Sequence, residues 1–253
     1  MKIAIAGASG TVGKLVLSAA RSAGHEALAL SRSSGVDLTS SRGLADRLAG
    51  IETFLDLTST GSLSAKVAVA FFSTVTENLL TAEHEAGVRH HVALSIIGAS
   101  KASSGYYAGK AAQEQSVVNS SVGWSMLRTT QFHEFAQQTV SRGSMLGIHI
   151  VPAMRSQPIA AAEVAVELLR IATGEPLGLA PDLAGPREEN LSDMVKQYLR
   201  ILGRTRPVLQ VNLPGAMGRA MRHGGLLPAA GTRLGQQTFR QWLDTIANAR
   251  TNH

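Results

Sequence analysis

Tyr106 and Lys110 stand four positions apart in Tyr106-Tyr107-Ala108-Gly109-Lys110. On a helix that spacing puts the phenol and the ammonium on one face, one turn apart. A nearby ammonium favours the phenolate form of a tyrosine. Such a tyrosine can give its proton to a carbonyl oxygen that is receiving a hydride, while a serine hydroxyl, here that of Ser95, holds the oxygen. Tyr107 offers no second pair, because only Tyr106 has a lysine four residues on. The plainer reading is a helix with a partly buried tyrosine pair and a lysine whose stem covers apolar surface.

A second group lies at the start of the chain. Gly7-Ala8-Ser9-Gly10-Thr11-Val12-Gly13 spells G-x-x-G-x-x-G between the apolar run Ile3–Ala6 and a helical pattern that begins at Thr11. Glycine permits a tight turn and lets backbone approach a pyrophosphate, and the free N–H groups of the following helix face its charge. Gly7, Ser9, Gly10, Thr11 and Val12 are therefore candidate dinucleotide contacts. No Gly-Lys-Ser/Thr follows, which excludes a P-loop.

The end of the second apolar run, Leu30-Ser31-Arg32-Ser33-Ser34, has no acid to hold a ribose 2′-hydroxyl before Asp37. Arg32 and Ser33 suit a 2′-phosphate, so the expected cofactor is NADP(H) in preference to NAD(H). Asp37, Leu38, Thr58 and Ser59 are expected along the adenine and middle of the cofactor, and Lys110 at its ribose. Asp37 also fits a turn or a helix cap.

These side chains need a frame, and the apolar pattern supplies one. Short runs at Ile3–Ala6, Ala27–Leu30, Thr53–Leu57, His91–Ser95 and Trp124–Leu127 read as buried strands. Between them lie helical patterns over Thr11–Ala23, Leu44–Leu48, Ser64–Ala86 (closed by Gly87) and Gly105–Asn119. Repeated strand–helix units predict an α/β fold, a Rossmann-type doubly wound parallel sheet. The regularity loosens after residue 130: a strand at Leu146–Val151, helices at Ala160–Thr173 and Leu191–Leu202, and a last helix near Arg233–Ala247. The expected division is a dinucleotide-binding domain over 1–150 and a small substrate-side α/β extension over 151–253.

Composition narrows the partners. The chain has 253 residues, 44% hydrophobic and 17% charged, with no cysteine, which excludes disulfides, thiolate metal sites and a cysteine nucleophile. No apolar run approaches the roughly 18 residues of a membrane span, and Gly7, Gly10, Gly13 and Lys14 interrupt any signal-like start, so a cytoplasmic protein is expected. Up to Arg200 the 17 Lys+Arg balance 17 Asp+Glu; beyond it stand seven Arg and one acid, Asp244. That basic last fifth has few interleaved aromatics and no nucleic-acid module, so solvated arginines or a protein contact surface are preferred over nucleic acid.

Other residues bear less. His90-His91 would point to opposite faces of a strand, which argues against a metal pair. His133-Glu134 could line a cleft or sit at the core edge. Met217, Met221, Leu226 and Leu227 read as a lid or as packing of the last helices, and Trp242 as core.

GASGTVG (7–13), LSRSSGVDL (30–38), HHVALSIIGAS (90–100), YYAGKAAQE (106–114), WSMLRTTQFHEF (124–135) and QPIAAAEVA (157–165) together resemble an atypical short-chain dehydrogenase/reductase of the NmrA-like NAD(P)-binding group. The resemblance spans residue 1 to about 200. It implies a Rossmann fold, NADP(H), a Ser-Tyr-Lys set on Ser95, Tyr106 and Lys110, and Arg128–Phe132 bordering the nicotinamide end of the cleft. The group divides between reductases and proteins that bind the dinucleotide to report redox state. The expected activity is hydride transfer to or from a small, largely apolar carbonyl substrate; the alternative is an NADP(H)-binding redox sensor without turnover. A nucleotide-sugar epimerase ranks third, because the region after 130 is short for such a site.

Overall fold

The computed structural model describes residues 1–101, 105–145 and 147–251. Its contacts divide the chain into two compact units, one of residues 1–128 and 162–181, the other of residues 129–161 and 182 onward. The chain thus passes between units three times. The cause is the helix Ala161–Ala172, which returns to the first unit.

The first unit runs β1 (Lys2–Ala6), α1 (Thr11–Ser22), β2 (Glu26–Leu30), α2 (Leu44–Arg47), β3 (Thr53–Asp56), α3 (Ala65–Ala86), β4 (His90–Ile96), α4 (Gly105–Val118) and β5 (Trp124–Thr129). After α5 (Phe135–Ser141), β6 (His149–Pro152) and β7 (Arg155–Ser156) of the second unit, α6 (Ala161–Ala172) and β8 (Gly178–Leu179) complete it. Its strands lie in the order β8-β5-β4-β3-β1-β2. β1 pairs in parallel with β2 on one side and β3 on the other, β3 with β4, and β5 with β8. The fold is a Rossmann-type α/β fold. Ile3, Ala4, Ile5 and Ala6 are all fully buried, as a strand covered on both faces requires. The winding reverses between β1 and β3, and at such a reversal the strand ends open a crevice. The glycine turn follows β1, and Thr58 and Ser59 follow β3.

The expected strands and helices of this unit stand within a residue or two of their places. Ser64 caps α3 by accepting from Val67 N, and Gly87 closes it at φ 73°. The Thr53 hydroxyl donates to Ala172 O at 3.0 Å, which ties the end of α6 to the sheet.

The adjacent histidines take separate buried partners. His90 Nε2 meets Ser125 Oγ at 2.7 Å and its Nδ1 meets Gly174 O at 3.1 Å. His91 Nδ1 lies 2.9 Å from both carboxylate oxygens of Glu83, and both side chains are fully buried. Burial pushes the Glu83 carboxyl up, against the pull of the His91 charge. For His91 burial acts downward, but the charge and hydrogen bond of Glu83, with Asp56 adding, raise it above the ordinary imidazole value. The folded pair therefore keeps a proton that the unfolded chain releases above about pH 6.5. Stability from this pair is present below that pH and is lost as pH rises, by up to about 1.4 kcal/mol per pH unit. Burial lowers His90, whose contribution is lost in the opposite direction, as pH falls below its unfolded value. Glu83→Gln should flatten the fall of urea-unfolding free energy as pH rises above about 6.5 and cost about 1–3 kcal/mol at neutral pH. An unchanged slope would show that the Glu83–His91 pair does not govern the pH dependence of stability.

The second unit continues with β9 (Leu183–Ala184), β10 (Glu189–Asn190), α7 (Leu191–Ile201), β11 (Val208–Val211), α8 (Gly215–Arg222), β12 (Arg233–Leu234) and α9 (Phe239–Thr251). β6 pairs with β11 and β9 with β12, both in parallel, and β7 with β10 antiparallel. The last helix starts later than expected because Arg233 and Leu234 form a strand. The strand expected from Leu146 begins at His149; Leu146 itself lies outside the described residues. Trp242 is core, with its ring stacked on Phe239 and Tyr198. His133 is fully buried beside it and meets Gln237 O at 2.9 Å, so it belongs to that core. Leu226 is buried while Met217 and Met221 are half-buried. Among the described residues no helix is long and apolar enough to cross a membrane.

Candidate functional site

At the glycine turn the backbone leaves no room for side chains at two of the three glycines. Gly7 adopts φ +72°, and a Cβ there would lie 2.4 Å from Leu57 O. A Cβ on Gly13 would lie 2.2 Å from Gly7 O. Gly10 N donates to Gly7 O at 2.9 Å and closes the turn. Gly10 is also the residue before α1 and supplies no side-chain cap. Ser9, Gly10 and Thr11 are exposed, whereas the Val12 side chain is buried.

Across the sheet reversal, the Thr58 hydroxyl is buried and without a hydrogen-bond partner. An unsatisfied buried hydroxyl costs about 1–3 kcal/mol, so one at a crevice mouth points to a group that is meant to bind there. Thr58 N donates to Asp56 Oδ1 at 3.0 Å. Ser59 is exposed.

After β2 the chain makes a 3-10 turn, Arg32–Ser34, in which Ser34 Oγ accepts from Ser31 N at 2.9 Å. Ser31 and Ser33 hydroxyls meet at 2.8 Å, and Arg32 and Ser33 are exposed. Asp37 accepts from both the amide and the hydroxyl of Thr39, which hold its carboxyl below the usual range, with Arg32's charge adding a little. It forms a local turn. The Leu38 side chain is in the core and its carbonyl accepts from Asn78 Nδ2 at 3.1 Å.

Helix α4 carries the tyrosine and the lysine. The Tyr106 hydroxyl lies 3.4 Å from Ser59 Oγ, and its ring meets Phe72 edge-on at 5.6 Å. Gly109 lets α4 pack against α3, because a Cβ there would lie 2.6 Å from the Phe72 ring. Lys110 is buried, with its Nζ 4.6 Å over that ring. Its ammonium donates to Leu94 O at 2.7 Å and to Gln113 Oε1 at 2.6 Å.

Ser95, at the end of β4, is also buried, and its hydroxyl donates to Glu114 Oε1 at 2.6 Å. Arg128 of β5 grips the same carboxylate with two bonds, Nε to Oε1 at 2.8 Å and Nη2 to Oε2 at 2.7 Å. The structure therefore brings Tyr106 to Ser59 and Phe72, and Ser95 to Glu114 and Arg128. Sequence reasoning missed Asp56, Gln113 and Glu114 as polar members of this region. Glu114 was visible only as a charge four residues after Lys110, with nothing in the spacing to assign its partners.

The arrangement fits a dinucleotide. A turn with no room for a side chain at Gly7 or Gly13, a helix N-terminus and an orphaned hydroxyl meet at one sheet reversal, and the Tyr–Lys helix follows the next strand. No family model and no curated protein matches the chain. Solved structures do. An NADPH-dependent quinone oxidoreductase of Escherichia coli in complex with NADPH superposes at TM-score 0.73 and 18% identity, covering 96% of this chain and 99% of that one. A short-chain dehydrogenase/reductase superfamily protein of Agrobacterium tumefaciens with bound NAD gives 0.70 and 17%, over 100% and 98%. A UDP-N-acetylglucosamine 4-epimerase of Bacillus cereus gives 0.72 and 15%, over 100% and 97%.

Proposed function

We propose that this chain, which shares its Rossmann-type fold with these proteins, is an NADP(H)-dependent oxidoreductase that acts on a small carbonyl-type substrate. The observation that carries this reading is the meeting of the glycine turn, orphaned Thr58 hydroxyl and Tyr106–Lys110 helix at one end of the sheet. The turn and the first N–H groups of α1 would hold the pyrophosphate, and Arg32 with Ser33 a 2′-phosphate. The Thr58 hydroxyl would gain its partner from the bound dinucleotide, with Ser59 beside it. Asp37 and Leu38 would border the adenine through backbone and turn rather than through a free side chain. Bound there, the nicotinamide would supply or accept the hydride. Tyr106 would move the proton at the substrate oxygen, Lys110 would set the positive field beside it, and Ser95 would fix that end of the cleft through Glu114. A cytoplasmic setting and no nucleic-acid partner go with this reading.

One observation favours a second reading. Ser95 has spent its only hydroxyl hydrogen on Glu114, as a protein that binds the dinucleotide without turnover could allow. Its arginine-rich last fifth would then be the surface that contacts a partner protein.

The test begins with titrations of the protein with NADPH and NADH, followed by nicotinamide fluorescence. NADPH should bind the more tightly. Arg32→Ala should weaken NADPH about tenfold or more, as expected for loss of a charge-assisted hydrogen bond of about 1.5–3 kcal/mol, and leave NADH nearly unchanged. Equal effects on both would refute the role of Arg32; binding of neither would refute the dinucleotide reading. Turnover of NADPH with a panel of aldehydes, ketones and quinones then separates enzyme from sensor.

A further inference from the structure

We infer that Gln113 and Asp56 are positioning residues for Lys110, holding its ammonium at a fixed point without pairing it to a carboxylate. This rests on the oxidoreductase reading only for its catalytic consequence. Gln113 and Asp56 are fully buried, and Lys110 is nearly so. Four hydrogen bonds join them in one line. Thr58 N donates to Asp56 Oδ1 at 3.0 Å and Gln113 Nε2 donates to Asp56 Oδ2 at 2.6 Å. Lys110 Nζ donates to Gln113 Oε1 at 2.6 Å and to Leu94 O at 2.7 Å.

The donor and acceptor inventory fixes the direction of the line. A carboxylate only accepts, so Asp56 draws the NH2 of Gln113 toward itself and leaves the amide oxygen facing Lys110. An ammonium only donates, so the reversed amide would set donor against donor. Each end therefore determines the orientation of the middle. The neutral amide satisfies one lysine N–H while keeping the negative charge of Asp56 one group away. Leu94 O takes a second N–H, and the ammonium lies 4.6 Å over the Phe72 ring. The line also reaches Thr58 on the β3 loop, so the loop beside the glycine turn and the lysine of α4 are held by the same carboxylate.

Two variants test this. Gln113→Met keeps length and apolar packing and removes both amide bonds. Asp56→Asn is isosteric, but it puts an NH2 donor where one carboxylate oxygen stood, facing either Thr58 N or Gln113 Nε2, so one bond must fail or the Gln113 amide must turn. The direct readout is the 15N-detected Nζ signal of Lys110, assigned by its loss in Lys110→Gln. In the full-length wild type this signal should persist in slow exchange at neutral pH, because the ammonium is buried and bonded twice. In each folded variant it should broaden or vanish. With NADPH and a turned-over carbonyl substrate, kcat should fall about tenfold or more, with KM for the carbonyl little changed.

Absence of a slow-exchanging Lys110 signal in the wild type would overturn the inference whatever the variants do. So would an unaltered signal in either folded variant, or wild-type kcat in Gln113→Met. A wild type that binds NADPH, shows the signal and turns over no substrate would instead defeat the oxidoreductase reading, with the variant signals still deciding the positioning.

Discussion

Tyr106→Phe should lower turnover by about 10²–10⁴-fold, the contribution usual for a positioned acid or base, and leave NADPH affinity nearly intact. The phenol ring is held by its edge contact with Phe72 and by the close packing of α4 on α3 through Gly109. A phenylalanine keeps both. The polar contact that the hydroxyl makes is the long one to Ser59 Oγ at 3.4 Å on an exposed partner, so stability should change by less than about 1 kcal/mol. The variant thus removes the proton donor and little else. The measurement is kcat beside the NADPH dissociation constant and the thermal midpoint. Parallel loss of affinity and turnover would make Tyr106 a binding residue, and undiminished turnover would remove it from the chemistry.

The parts of this molecule that are local in sequence were legible in it. The run Ile3–Ala6 reads as a strand because all four residues must be apolar when both faces are covered. The helix after Ser64 announces its start by a capping hydroxyl and its end by Gly87, the residue that adopts a left-handed φ most cheaply. The glycine turn is legible for the same reason, since contacts among residues 7, 10 and 13 are set by short chain distance.

Pairings made across the fold were not legible. Asp56 and Gln113 are 57 positions apart and meet only because β3 and α4 come together at one end of the sheet. Ser95 stands at the end of its strand as expected, yet its hydroxyl is taken by Glu114, whose other partner Arg128 lies on the next strand. A buried charge in a sequence announces that it needs a partner, without saying which. Leu38 shows the converse: the sequence does not reveal that its apolar side chain joins the core cluster that holds residues of α2 and α3. Helical periodicity located α6 correctly, but periodicity carries no information about which unit a helix's apolar stripe will meet.

The glycine turn allows structural need and ligand need to be separated by experiment. Gly13→Ala should abolish dinucleotide binding and destabilise the fold by about 1–3 kcal/mol or more, because its Cβ would fall 2.2 Å from Gly7 O and 2.8 Å from Ala8 Cα. Both obstacles are backbone, and backbone in a turn that packs on β3 cannot step aside. Gly7→Ala adds a left-handed φ to a clash of 2.4 Å with Leu57 O and should be no milder. Gly10 differs. Its φ is −75°, it is exposed, and an added Cβ meets only Gly7 O, at 3.2 Å. Gly10→Ala should therefore fold with a stability within about 1 kcal/mol of the wild type. If the turn exists to let a pyrophosphate approach the start of α1, the same methyl should still weaken NADPH about tenfold or more. Thermal unfolding and NADPH titration of the three variants decide the matter together. A stable Gly10→Ala that binds NADPH as well as the wild type would mean that Gly10 serves only the strand–helix connection, and that the phosphate is held elsewhere.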